Sequence, residues 1–223
     1  MRKMWCVTKI TAQYRERMYA LCDLYGEEYD FLYPVVCMDE KSKQLIEDSR
    51  GIIPMKPGSP AKYDYEYKRN GTRNIFVAVE PLGGKRIIKM TQTRTKADFA
   101  HYIRDLVDHE FYSEAKQIKL VVDNLNTHNP SSLYETFNIG EANRILRKIV
   151  FIYTPKHASW LNMAEIEINI MDRECLNRRI GDAQTLNREL NYWAEKRNND
   201  LKKIQWTFTR QHADAKLSNY YVA

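Results

Sequence analysis

The sequence predicts an α/β protein built on one mixed sheet with helices on both faces. Short apolar runs with the length and composition of buried strands recur at residues 35–38, 118–122 and 149–153. Segments with apolar residues at helical spacing stand between and after them. Two further runs, at 75–79 and 86–90, flank Pro81-Leu82-Gly83-Gly84 and read as a hairpin, which requires an antiparallel part of the sheet.

Each element has a local reason. Tyr14, Met18, Leu21 and Tyr25 recur at helical spacing, with Arg15, Glu16 and Arg17 turned elsewhere, so residues 1–30 read as a basic lead and a helix. Pro34 marks the entry to the first strand, Val35-Val36-Cys37-Met38. Pro54, Pro57, Gly58 and Pro60 then exclude regular core structure. Tyr63, Tyr65 and Tyr67 alternate with Asp64 and Glu66, which predicts a strand with an aromatic face. After the hairpin, Thr95 and Asp98 form a helix start with a capping acid, and Phe99, Tyr102, Ile103 and Leu106 supply its apolar stripe.

The strand ending at Asp123 leads into a polar loop and one or two short helices through Arg147. Thr154-Pro155 closes the next strand. Two helices follow, at about 162–178 and 183–198, the second with Leu186, Leu190 and Trp193 on one face. A short strand near 206–208 and a terminal helix complete the chain. With no internal repeat and no long linker, 223 residues fit one domain.

Composition narrows the function classes. A formal net charge of +6 favours a polyanionic partner. Cys6, Cys22, Cys37 and Cys175 form no Cys-x-x-Cys pair, and Cys37 sits inside a strand-like run, which argues against structural zinc and a disulfide framework. Met1-Arg2-Lys3 precedes too little apolar sequence for a signal peptide, and no run approaches the roughly 18 apolar residues of a membrane span. The expectation is a cytoplasmic chain without a membrane partner.

Three acids stand where elements end or begin. Asp39 follows Val35-Val36-Cys37-Met38, Asp123 follows Ile118-Lys119-Leu120-Val121-Val122, and Glu165 lies in the first turn of the helix after Ser159-Trp160-Leu161-Asn162. Carboxylates at two strand ends and one helix start can converge, and converging carboxylates require cations. Two magnesium ions held by oxygen ligands suit phosphodiester cleavage, with Asp39 as the bridging ligand. A plainer reading also fits. Aspartates cap turns after strands, and Asn162 with Glu165 matches a capping box, with Leu161 facing Ile166 as a staple. Asp172, about two turns beyond Glu165, is the best substitute ligand. Glu40 and Glu167 read as solvated acids or partners of local bases.

Three blocks carry a family resemblance. They are Met38-Asp39-Glu40-Lys41-Ser42, then Asp123-Asn124-Leu125-Asn126-Thr127-His128, then residues 154–165, Thr-Pro-Lys-His-Ala-Ser-Trp-Leu-Asn-Met-Ala-Glu. They resemble the signature blocks of DDE transposases, above all the bacterial insertion-sequence branch related to mariner elements. The resemblance runs from about residue 30 to the C-terminus. It implies an RNase H-like fold, with residues 31–223 as the catalytic domain and 1–30 as lead and linker helix. It implies Asp39, Asp123 and Glu165 as catalytic and metal-binding triad, and two Mg2+ ions, with Mn2+ able to substitute. The spacing from Asp123 to Glu165 is longer than in typical mariner relatives, and the extra length falls in the 131–147 helical segment. The implied reaction is hydrolysis at element ends in double-stranded DNA, followed by attack of the 3′-hydroxyl on target DNA. A homodimer and a bacterial, nucleoid-associated setting follow from the same resemblance.

Around the triad, Lys156, His157 and Arg173 are candidate DNA contacts, with Arg178 and Arg179 further along the same helix. Trp160 is expected to pack the helix start against the sheet. His128 reads either as a group orienting water or as a polar loop residue. Relatives carry helix-turn-helix modules ahead of the catalytic domain, and this chain has no room for them. Two expectations follow from the resemblance: either the chain is the catalytic half of a split or frameshifted frame, with a separate helix-turn-helix half reading the ends, or it is a decayed or truncated copy. Two alternatives remain open at this point: an RNase H-like nuclease that does not transpose, and a non-catalytic DNA-binding or assembly subunit.

Overall fold

The computed structural model describes residues 9–222 apart from Ile52 and Tyr63; Met1-Arg2-Lys3, Cys6 and Tyr63 lie outside the described residues. In chain order the elements are α1 (Ala12–Tyr25), β1 (Val35–Asp48), β2 (Tyr67–Glu80), β3 (Lys85–Thr91) and α2 (Lys96–Val107). They continue with β4 (Ile118–Val122), α3 (Ser131–Thr136), α4 (Ile139–Lys148), β5 (Ile149–Tyr153), α5 (Ala164–Met171), α6 (Ala183–Asn199) and α7 (Arg210–Leu217). The strands form one sheet in the order β3-β2-β1-β4-β5. The β1/β2 and β2/β3 pairs are antiparallel, and β1/β4 and β4/β5 are parallel. The sheet is mixed, as the sequence predicts.

Side-chain alternation gives the sheet two buried faces. Val36 and Met38 of β1, Phe76 and Ala78 of β2, and Leu120 and Val122 of β4 join Phe99, Tyr102, Ile103 and Leu106 of α2, Leu133 of α3 and Ile145 of α4. On the opposite face, Cys37, Val79 and Val121 meet α1 and the segment leading into α5, while Leu45, Ile75 and Val77 meet α5 and α6. Burial of each large apolar side chain contributes roughly 1.5–3 kcal/mol. Thr95 and Asp98 form the capping box at the start of α2. Cys22, Cys37 and Cys175 are buried and free. Among the described residues, no helix is long and apolar enough to cross a membrane.

Three expectations change. The first strand does not end at Asp39 but runs nine residues further, to Asp48, paired with β2 alone. Past Cys37 it loses β4 as a neighbour, from Glu40 on its residues are half-buried or exposed apart from Leu45, and the apolar signal that marks a buried strand disappears. The tyrosine alternation does not make an aromatic face: β2 begins at Tyr67, and Tyr65 is 85% exposed. The segment around Trp206 and Phe208 is not a strand. Trp206 packs edge-on against Tyr25, and the segment joins the α1 side of the core instead of a sheet edge.

One buried ion cluster ties α5 to the rest. Glu167 and Arg86 are 0% and 1% exposed, with Arg86 Nε 2.8 Å from Glu167 Oε1 in an ionic contact rather than a well-aligned hydrogen bond. Arg197 Nε donates to the same oxygen at 2.8 Å, and Arg86 donates to the carbonyls of Gly84, Arg197 and Lys202. The reading of Glu167 as a solvated acid is therefore corrected: α5 turns it inward, onto β3 and α6. Removing one partner of such a set leaves a charge buried without compensation. Glu167→Ala is expected to lower the unfolding free energy by about 3–5 kcal/mol in urea titrations. The exposed Glu195→Ala should change it by less than about 0.5 kcal/mol.

Candidate active site

The parallel register sets the site. Val35, Val36 and Cys37 stand opposite Lys119, Leu120 and Val121, and this register, extended two residues past the last paired positions, sets Asp39 level with Asp123. Both continue the side of the sheet occupied by Cys37 and Val121, which is the side covered by the segment entering α5. Asp39 is 8% exposed and its Oδ1 accepts the Glu40 N–H at 2.8 Å. Asp123 Oδ1 accepts the Leu125 N–H at 3.0 Å and lies 2.6 Å from His128 Nδ1. In both aspartates the protein engages one oxygen, and among the described residues no donor reaches Oδ2.

Glu165 arrives from the start of α5. Asn162, 0% exposed, donates its Nδ2 to Met38 O at 2.8 Å and accepts the Ala164 N–H at 3.1 Å. The beginning of the helix is thus tied to β1 one residue before Asp39. The Glu165 backbone N–H goes to Asn162 O, and its carboxylate makes no hydrogen bond or ion pair among the described residues. The capping-box reading of Glu165 is not what the chain adopts. The staple is also absent, since Leu161 is buried and Ile166 is 37% exposed.

Burial, followed by the negative charges of Glu165, Asp123 and Glu40, pushes the Asp39 carboxyl up to about 7 against the opposing Glu40 N–H. Glu165 and Asp123 are therefore within electrostatic reach of Asp39. Convergence stops short of a ligand cage: among the described residues no three His, Cys, Asp or Glu side chains are close enough to grip an ion together. The donor set itself consists of carboxylate oxygens, one of them held at a cost by burial and like charge. That chemistry fits a hard divalent cation such as Mg2+ or Mn2+.

Beneath the aspartates lies a link that the sequence did not reveal. His128, 0% exposed, stacks on Phe99 with ring centroids 4.9 Å apart and bridges Asp123 to Glu40, with its Nε2 2.9 Å from Glu40 Oε1. Burial works against the charged ring, but the bonds to Asp123 and Glu40 outweigh it and hold the imidazole up, at about 9. Burial also raises Asp123, but the His128 bond, the Leu125 N–H and the charge of the ring together outweigh it and leave the carboxyl lowered. His128 does lie in the loop after β4, but its ring is fully buried there, and Glu40 is bound to it rather than solvated. Alternation was the available signal: Glu40, beside Asp39 on one strand, has to point through to the α2 side.

Lys156 and His157 are exposed and line a cavity of about 420 Å³ with Asp123, Asn124 and Ser159. His157 adopts a left-handed backbone at φ 61°. Arg173 lies elsewhere, on the π-helical turn Asp172–Leu176, beside a separate cavity of about 750 Å³ with Lys196 and Lys202. Asp172 pairs with Lys41 at 2.5 Å, and Asp172 is not among the charges that act on Asp39. Arg178 and Arg179 are held by Glu189 and Asp48. Trp160 does not pack on the sheet; it is 43% exposed and meets Phe208 edge-on.

The profile of one family, described as DDE superfamily endonuclease, matches residues 34–187, a span containing Asp39, Asp123 and Glu165. The chain belongs to the DDE superfamily endonuclease family. No curated protein sequence matches it significantly. Among solved structures this DDE chain is similar to the Mos1 mariner paired-end complex with Mn, at TM-score 0.61 and 14% identity over 99% of this chain and 67% of that one. It is also similar to the Mos1 transposase paired-end complex with left transposon end (TM-score 0.59, 14% identity, 91% and 63% covered) and to the Mos1 strand transfer complex (0.57, 14%, 91% and 63%). The chain thus spans 63–67% of those proteins. The likeness shows the fold, which is RNase H-like.

The raised Asp39 carboxyl has a sign-definite consequence. An acid whose folded value exceeds its unfolded one weakens the fold as pH climbs from about 4 to about 7, and by a constant amount above that. In metal-free buffer with chelator, Asp39→Asn should raise the unfolding free energy by up to roughly 4 kcal/mol at pH 8, less the cost of the buried amide. The gain should shrink toward pH 4.5. Denaturation curves with equal gains at both pH values would contradict the burial of this carboxyl.

Proposed function

We propose that this chain is the catalytic domain of a DNA transposase that hydrolyses phosphodiester bonds at element ends and transfers the freed 3′-hydroxyl to target DNA. The observation that carries this reading is the register placing Asp39 level with Asp123 on the side from which α5 delivers Glu165. The match to the DDE endonuclease family and the fold shared with Mos1 transposase complexes support it. Asp39, Asp123 and Glu165 are the catalytic acids and the metal ligands, with Asp39 between the other two.

Two Mg2+ ions, with Mn2+ as substitute, supply charge neutralisation at the phosphate and activation of the attacking hydroxyl when bound. The chain's own contribution is positioning. Asp39 and Asp123 each have Oδ1 held by protein donors, leaving Oδ2 free to ligate. Asp39, whose carboxyl burial pushes up to about 7, is about half protonated at neutral pH without a cation and would bind one as the carboxylate. Lys156 and His157, exposed beside Asp123, contact the DNA backbone next to the scissile phosphate, and Arg173 contacts it further away, from the π-helical turn that follows α5. The reaction needs no side-chain nucleophile, because water and the 3′-hydroxyl serve in turn.

In this reading residues 31–223 form the catalytic unit and residues 1–30 its lead and linker helix. The substrate is double-stranded DNA, a second copy completes the assembly, and a separate helix-turn-helix half reads the element ends. The setting is the bacterial nucleoid, within the insertion-sequence branch related to mariner elements.

Supercoiled plasmid with Mg2+ tests the chemistry. Wild type is expected to nick it, and Asp39→Asn, Asp123→Asn and Glu165→Gln each to lose about 10³-fold or more. Nicking that persists in the first two variants removes the metal-site reading. Alone, the chain should bind inverted-repeat and scrambled duplexes with similar affinity; a large preference for the repeat would place end recognition inside this chain.

A further inference from the structure

Backbone pairing between β1 and β4 ends at Cys37 and Val121, two residues before the aspartates. No ladder hydrogen bond therefore sets the opening between Asp39 and Asp123. The direct side-chain bridge across this gap, among the described residues, is His128, with Nδ1 2.6 Å from Asp123 Oδ1 and Nε2 2.9 Å from Glu40 Oε1. The geometry points to His128 and Glu40 as positioning residues: a strut across the sheet that sets the spacing and orientation of Asp123 relative to Asp39. The inference rests on the proposed assignment of those aspartates as metal ligands.

The strut is built rather than incidental. The His128 ring is fully buried and stacked on Phe99 at a 30° interplanar angle, and the Glu40 side chain is 3% exposed. Its backbone is fixed as well: His128 N donates to Leu125 O at 2.9 Å, and the Ser132 hydroxyl donates to Thr127 O at 2.7 Å. Asp123 Oδ1 takes two bonds, from the Leu125 N–H and from His128, which restrain the carboxylate and leave Oδ2 without a donor among the described residues. A carboxylate oriented from behind by an imidazole is the arrangement by which second-layer partners tune a ligand, and losing such a partner typically costs 10–100-fold in metal affinity. The dipeptide Asp39-Glu40 couples the strut to the reaction side, because alternation sends its first acid to that side and its second to His128.

Two amides dissect the bridge. Asn at 128 places an amide nitrogen near the Nδ1 position and Gln near the Nε2 position. His128→Asn keeps the Asp123 bond and loses Glu40, whereas His128→Gln does the reverse. Glu40→Gln keeps an acceptor for Nε2 and serves as the conservative control. Three readouts are taken on folded variants: amide hydrogen exchange without metal, the thermal shift on adding Mg2+ or Mn2+ without DNA, and the metal dependence of plasmid nicking.

The strut predicts that His128→Asn and His128→Gln both lose exchange protection in residues 39–41 and 123–128 while the α2 and β5 amides keep theirs. Both should need 10–100-fold more metal for half-maximal shift and nicking, with KM for DNA unchanged and Glu40→Gln near wild type. Wild-type exchange and metal dependence in His128→Asn would overturn the strut, as would a loss of nicking rate at unchanged metal half-saturation. If wild type neither shifts with metal nor nicks, the proposed function fails instead. The exchange pattern of the variants then still decides whether the bridge sets the strand tips.

Discussion

Three residues of parallel pairing, Val35 to Cys37 against Lys119 to Val121, set where everything else in the site must be. A parallel ladder this short holds the two strands in one register and then lets them part. A one-residue slip would turn Asp123 to the wrong side of the sheet while Asp39 stayed in place. The register is secured because both faces are buried: Val36 and Leu120 are locked into the α2 core, Cys37 and Val121 into the α1 core. No slipped pairing keeps all four inside.

The acids depend on that register but are costly to keep. Asp39 is nearly buried beside two other carboxylates, and its protonation near neutral pH expresses that cost. Compensation comes from several directions. The Glu40 N–H serves Asp39, the Leu125 N–H and a charged imidazole serve Asp123, and the Asn162 side chain brings Glu165 near without binding its carboxylate. Glu165 keeps its charge uncommitted, which suits a group whose partner is a cation rather than the protein.

Helix α5 is held from its other side by the buried Glu167, Arg86 and Arg197 set. Glu165 and Glu167 are two residues apart and so face different ways. One end of this acidic pair reaches the reaction side, and the other anchors the helix to β3 and α6. The same division appears in Asp39 and Glu40 on β1. In both places adjacent acids that look redundant have unlike roles, one free and one bound to a buried cation.

Much was legible along the chain because it is local. The boundaries of β4, β5, α2 and α6, the hairpin at residues 81–84 and the box at Thr95 follow from apolar periodicity and turn chemistry within a dozen residues. The motif blocks marked Asp39, Asp123 and Glu165. The second half of β1 was not legible, since a strand with one neighbour and half-exposed side chains carries no apolar signature. Nor could sequence spacing assign Glu40, His128, Asn162 or Glu167. Each has a partner 30 to 124 residues away, beside the short reaches from His128 to Asp123 and from Asn162 to Ala164. Elements and acid identities follow from short-range sterics and hydrophobic patterning, which the chain carries in itself. Which acids stay free and which are buried against a cation depends on desolvation and charge pairing between distant segments, and those exist only once the sheet has closed its two faces.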